Sequence, residues 1–239
     1  MNTIPFNKKH VKIVAHRGVS GLECENTCAA FVAAGNRSYF GIETDTRLCA
    51  DGTFAIMHDA NALRVSGVDA VIEELPFSAL RDIRLYDKEE GVTRSDLTIP
   101  ALSDYIRICH RYGKVAVLEL KGASHPEEYV EMVALIDSLG HLEDTVFITF
   151  GKQNAMDIRA AAPTSKVQFL TNTWEDELLP WMQEYRFDLD INHKAVTPEL
   201  VELMHKNGME INCWTVNDPE RGEALAEMGV DYITTNILE

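Results

Sequence analysis

No stretch of this 239-residue chain approaches the ~20 consecutive apolar residues that a bilayer-spanning helix needs. A helical membrane protein is therefore not expected. Residues 1–12 hold no apolar run of the kind that leads a secreted protein. Cysteine is scarce and disordered in its spacing: Cys24, Cys28, Cys49, Cys109 and Cys213 are five in number, which argues against a disulfide framework. Cys24 and Cys28 would stand one helical turn apart, but no second Cys/His pair completes a zinc set. Reduced, mostly buried thiols point to a cytoplasmic protein. Positive charge is also short. Lys and Arg number 22 against 38 Asp and Glu, a formal net charge of −16. Such a surface disfavours nucleic acid and stable membrane association. Repeats, low-complexity tracts and linkers are missing too, so one domain, residues 1–239, is expected.

What is present is a strict alternation of strands and helices. Strands are expected at 11–16, 40–46, 115–120, 145–150, 166–171, 188–192, 210–215 and 231–235, several of them apolar on both faces as in buried parallel sheets. Helices are expected between them. One starts at Asn26 or Thr27 and stops at Gly35. Ser103 caps another that Gly113 closes, and Pro126 opens a third. Later ones begin near Gln153, Glu175, Thr197 and Asp218, with Gly208 and Gly229 at C-terminal ends. Eight such units predict a (β/α)8 barrel, with an open doubly wound sheet as the alternative. Residues 47–100 are too long for one barrel loop. They read as a small insertion that begins with a hairpin at Ala50-Asp51-Gly52 and continues as a partly ordered lid containing Gly67 and Gly91. The chain ends three residues after Asn236. No eighth helix is expected, and the last strand should leave an apolar flank. Either Ile4, Pro5 and Phe6 or a second subunit in a homodimer would cover that flank.

Chemistry-bearing side chains gather at the ends of the expected strands. Strand residues two apart share a face. Glu43 therefore projects with Asp45, and Glu119 with Lys121. Three hard oxygen donors on one rim suit one divalent cation, Mg²⁺ or Ca²⁺. His16 and His58 are the candidate acid and base, since imidazole exchanges protons near neutral pH. His58 precedes Asp59, whose carboxylate could orient it. The other six histidines read as structural. Arg17 and Lys121 supply fixed positive charge for an anion such as a phosphoryl group. Trp214 stands either in the core or as an apolar wall for a substrate's carbon atoms.

The runs His16-Arg17-Gly18, Glu25-Asn26-Thr27, Glu43-Thr44-Asp45, Asp51-Gly52, His58-Asp59, Glu119-Leu120-Lys121, Trp214-Thr215-Val216-Asn217 and Gly229-Val230-Asp231 together resemble the glycerophosphodiester phosphodiesterase family. The resemblance spans nearly the whole chain. It implies a (β/α)8 barrel with an insertion after the second strand. It also implies hydrolysis of glycerophosphodiesters to an alcohol and sn-glycerol 3-phosphate with a divalent cation. On this chain it assigns the metal to Glu43, Asp45 and Glu119, and acid–base roles to His16 and His58. Phosphate binding falls to Arg17 and substrate contact to Lys121 and Trp214. Three positions depart from the family's pattern: Cys24 where a proline is usual, Leu63-Arg64-Val65-Ser66 in place of a threonine-rich stretch, and Asn236 where an aspartate often stands. A phospholipase of related barrel architecture and a barrel that binds phosphodiesters without cleaving them are the competing readings.

Overall fold

The computed structural model describes residues 2–88, 92–122 and 125–239. Its centre is a closed barrel of eight parallel strands: β1 (Lys12–Ala15), β2 (Gly41–Leu48), β6 (Val115–Leu120), β7 (Thr145–Thr149), β8 (Lys166–Thr171), β9 (Asp188–Asn192), β10 (Ile211–Trp214) and β11 (Tyr232–Thr235). Each pairs with the next, and β1 pairs with both β2 and β11, which closes the ring. All eight expected strands are present within one or two residues. The open-sheet alternative is excluded by the β1–β11 pairing.

Seven helices pack outside: α1 (Cys28–Gly35), α4 (Leu102–Tyr112), α5 (Pro126–Ser138), α6 (Lys152–Ala161), α7 (Leu178–Tyr185), α8 (Pro198–Lys206) and α9 (Pro219–Met228). Local chemistry sets their ends. The Thr27 and Thr197 hydroxyls accept backbone N–H groups of Ala30 and Leu200, each at 3.2 Å, and Asp218 caps α9. Gly113 takes a left-handed conformation after α4. Two expectations need correction. Ala101, not Ser103, is the N-cap of α4, where the Asp104 carboxylate accepts the Ala101 N–H at 3.2 Å. α1 stops at Gly35 as expected, with Asn36 as its C-cap, and a β-carbon at Gly35 would sit 2.5 Å from the Tyr112 ring. The helix placed near Glu175 begins at Leu178.

Between β2 and α4 lies the insertion. β3 (Phe54–Ile56) returns antiparallel on β2, as the hairpin predicted. Beyond it come α2 (Leu63–Ser66), α3 (Phe77–Arg81) and a two-stranded antiparallel sheet of β4 (Arg84–Tyr86) and β5 (Thr93–Thr98). Gly91 lies outside the described residues. The part described is better organised than a loose lid. Ile72, Leu80, Leu85, Leu97 and Ile99 are buried in an apolar cluster of their own. Elements of three to six residues are too short to display a periodicity, which is why they read as irregular in the sequence.

After β11 the chain forms no helix among the described residues, as expected, but the flank is not bare. Ile4 bridges to Leu238, which is fully buried, and the Phe6 ring lies against Gly222 in α9. The chain's own N-terminal segment supplies the cover. No helix among the described residues is long and apolar enough to cross a membrane.

Candidate active site

Register brings the acids together. Asp45 on β2 stands opposite Glu119 on β6, and Glu43 lies two residues back on the same face of β2. One ligand atom from each of these three residues lies within 4.8 Å of the others, and all three side chains are buried. Lys121 Nζ lies 2.6 Å from Glu119 and 3.2 Å from Asp45, and Arg17 Nε is 3.3 Å from Asp45. Glu43 differs. It accepts the Arg17 backbone N–H at 2.8 Å and lies 3.9 Å from His16 Nε2, with no Lys or Arg side chain at ion-pair distance among the described residues. Its amide partner depends on the backbone turn after β1, where Arg17 and Gly18 both adopt positive φ, 53° and 74°. A β-carbon at Gly18 would sit 2.6 Å from that of Ala30, so this turn requires glycine.

The electrostatics follow from that geometry. Burial, then the charges of Asp45 and Glu119, push the Glu43 carboxyl well above the usual carboxylate range. Burial and the Asp45 charge push Glu119 up to about 7, against the pull of Lys121. Asp45 is also buried, but Lys121 and Arg17 hold it down to about 2. Ion pairing therefore satisfies Asp45 and Glu119 and leaves Glu43 without a counter-charge. Asp45 Oδ1 makes no hydrogen bond, although Lys121 Nζ is 3.2 Å away. Three buried acids facing two side-chain cations, with Glu43 unpaired, fit a divalent cation.

The histidines approach from different elements. His16 follows β1, and its Nδ1 lies 2.6 Å from Asn236 Oδ1 at the end of β11. An amide oxygen only accepts, so Nδ1 carries the proton and Nε2 is the free nitrogen, facing Glu43. Burial and the neighbouring Arg17 charge lower His16 to about 4. His58 comes from the insertion, and its Nδ1 lies 2.6 Å from Asp59 Oδ1. Burial lowers His58 as well, with the Asp45 charge opposing. Arg64 on α2 then joins the two arms: it donates to Asp59 Oδ2 at 2.5 Å and to Glu25 at 2.6 Å, and Glu25 accepts from Arg17 at 3.0 Å. His58, Asp59, Arg64, Glu25 and Arg17 thus form one continuous chain of polar contacts.

A cavity of about 200 Å³ is lined by His16, Arg17, Glu43, His58, Glu119, Lys121 and Trp214. Asp45 supports this wall from behind, fully buried. All eight residues singled out in the sequence converge. Trp214 stands at the cavity wall, not in the core, edge-on to Phe150 at 5.6 Å. Residues that carried no assigned role complete the site. Asn26 donates to Asp45 at 2.8 Å and accepts from Thr44 at 2.7 Å. Asn236 fixes His16, and Arg64 fixes Asp59. Asn26 and Asn236 were visible as motif positions. No sequence pattern revealed the reach of Arg64 to Glu25. Charge at the rim, oxygen donors beneath it and an apolar wall beside it define a barrel site suited to acid–base chemistry on a small anion.

Comparison with known proteins gives the same class. The sequence matches the glycerophosphoryl diester phosphodiesterase family over residues 16–239. It is 27% identical to a glycerophosphodiester phosphodiesterase of Caldanaerobacter subterraneus, covering 94% of this chain and 93% of that protein. It is 29% identical to a probable glycerophosphodiester phosphodiesterase of Mycobacterium tuberculosis, covering 95% and 89%. Among solved structures, a phosphodiesterase of Oleispira antarctica, determined with the product sn-glycerol-3-phosphate, has the same fold. Its TM-score is 0.82 at 23% identity, over 94% of this chain and 92% of that one. The chain belongs to the glycerophosphoryl diester phosphodiesterase family.

Proposed function

We propose that this barrel hydrolyses glycerophosphodiesters to an alcohol and sn-glycerol 3-phosphate, a small-molecule reaction carried by His16 and His58. The observation that carries the reading is the convergence of two oriented imidazoles, two fixed cations and a charge-deficient acid cluster on one cavity. Family membership supports the substrate class, and the product bound to the Oleispira antarctica protein supports the same cleavage.

Glu43, Asp45 and Glu119 are the residues that would hold a divalent cation, Mg²⁺ or Ca²⁺. Bound there, it would supply positive charge to the phosphoryl oxygens. The protein's own groups do the rest. Arg17 and Lys121 bind and orient the phosphate. His16, neutral at pH 7 and held through Nδ1, takes a proton at Nε2 from the attacking water. His58, held at Nδ1 by Asp59, gives a proton to the leaving alcohol from its imidazolium form, whose Nε2 proton the Asp45 charge and the Asp59 hydrogen bond favour. Trp214 packs against the carbon chain. The working unit is one barrel domain, residues 1–239, whose insertion at about 47–100 contributes His58. Of the two covers expected for the β11 flank, the N-terminal segment or a second subunit, the contacts of Ile4 and Phe6 support the first. Five free cysteines are compatible with a cytoplasmic location.

The test is release of sn-glycerol 3-phosphate from glycerophosphocholine, read by a coupled dehydrogenase. Activity that is lost on chelation and restored by Mg²⁺ or Ca²⁺ is expected. Preference for a lysolipid would favour the phospholipase reading, and binding without turnover would favour the non-catalytic one. Full activity after chelation would remove the metal role.

A further inference from the structure

The interior of this barrel is mixed. One part of it is filled by Val14, Val117, Val146, Ile148, Leu170 and Tyr232, apolar residues of the kind that usually pack a barrel. Four successive strands, β8 to β11, also contribute Gln168, Asp190, Asn212 and Thr234, all buried. Asn212 lies 3.1 Å from Thr234 Oγ1 and 3.5 Å from Gln168 Oε1. A packed core gains nothing from this polar set, because buried polar groups are tolerated only when paired. One of them is not fully paired. Asp190 is 1% exposed, neighbours Asn212, and leaves Oδ1 with no hydrogen-bond partner.

The position of this defect matters more than its cost. Asp190 and Thr234 belong to the lining of the cavity that holds His16, Glu43 and Lys121. Trp214 Nε1 in the same lining is also buried and unpartnered. Two residues of this lining therefore carry an unsatisfied polar atom, one an acceptor and one a donor. A hydroxyl group both donates and accepts, so it complements such a pair.

We propose that Asp190 is a substrate-binding residue whose free oxygen accepts a hydrogen bond from a hydroxyl of the glycerol moiety, making it a determinant of selectivity for polyol phosphodiesters. This rests on the glycerophosphodiesterase reading above. Burial, and then the Glu119 charge, raise the Asp190 carboxyl well above the usual range.

The experiment compares the glycerol diester of p-nitrophenyl phosphate with its propane-1,2-diol and propane-1,3-diol counterparts, each lacking one hydroxyl. The proteins are the wild type, Asp190→Leu and Asp190→Asn. The wild type is expected to favour the glycerol diester over one of the deoxy analogues by about tenfold in kcat/KM, the worth of one well-made hydrogen bond. Asp190→Leu should erase that preference, and Asp190→Asn, which keeps a carbonyl oxygen, should restore most of it. Equal loss on all three diesters, or a preference that survives in Asp190→Leu, overturns the proposal and leaves Asp190 a structural residue. Calorimetric titration with sn-glycerol 3-phosphate separates the two readings. If the wild type cleaves no glycerol diester, the function proposed above fails. The Asp190 proposal is then decided by whether Asp190→Leu weakens sn-glycerol 3-phosphate binding more than propane-1,3-diol phosphate binding.

Discussion

Metal loading should release protons, and the amount can be worked from the acid cluster. Without a cation, Glu43 and Glu119 are held partly protonated by burial and by the negative charge they share with Asp45. Ligation needs the deprotonated form. Asp45, at about 2, has no proton to lose at neutral pH. Glu119, at about 7, is half protonated at pH 7 and nearly fully protonated at pH 6. It alone contributes about half a proton at pH 7 and about 0.9 at pH 6. Glu43, raised by burial and by the charges of Asp45 and Glu119, adds to both figures. The sign follows directly. Protons compete with the metal, so affinity rises with pH, and its logarithm climbs by roughly the number of protons released per pH unit. Mg²⁺ or Ca²⁺ titrated by calorimetry into the metal-free protein, in buffers of different ionisation enthalpy, measures that number. Glu119→Gln should reduce it. A metal affinity independent of pH between 6 and 8, with no proton released, would refute the coupling of the three acids and with it their assignment as ligands.

His16→Ala and His58→Ala should each lower kcat by about 10²–10⁴-fold with metal affinity retained, as expected for positioned acid–base groups; near-normal turnover in either would name the wrong proton carrier. His141→Ala should leave kcat unchanged but lower stability by about 1–3 kcal/mol, because the His141 ring is buried and bonded to the Lys114 carbonyl at 3.0 Å; chemical denaturation and turnover together check this. Arg64→Met should lower kcat by about tenfold and shift the pH profile of the His58 limb, since it frees Asp59 and Glu25 at once; Arg64→Lys should recover only part, as one ammonium cannot reproduce the guanidinium's fork. Phe6→Ala should lower the melting temperature without changing kcat, because Phe6 packs beside Gly222 and is not part of the cavity lining; an unchanged melting temperature would mean that the N-terminal segment does not hold the β11 flank.

The sequence by itself determined the barrel and its rim. Eight runs rich in Val, Ile, Phe and Thr, several apolar on both faces, alternate with helices, and period-two spacing alone places Glu43 beside Asp45 and Glu119 beside Lys121. Cap residues such as Thr197 and Asp218, each followed by proline, mark helix starts through interactions within one turn. All of these are local signals, read over two to four residues. What only the tertiary structure decided depends on residues far apart in the chain. Gly35 was legible as the stop of α1, but not that the Tyr112 ring leaves no room for a side chain there. The insertion looked loosely ordered but closes on apolar residues from elements too short to show a pattern. Arg64 reaches Glu25 across 39 positions, and Asn236 reaches His16 across 220. Asp190, one of two acids in β9, drew no attention in the sequence, and its unpaired oxygen could not be read there. Whether a buried polar atom finds a partner is settled only when strands distant in sequence close the barrel around it.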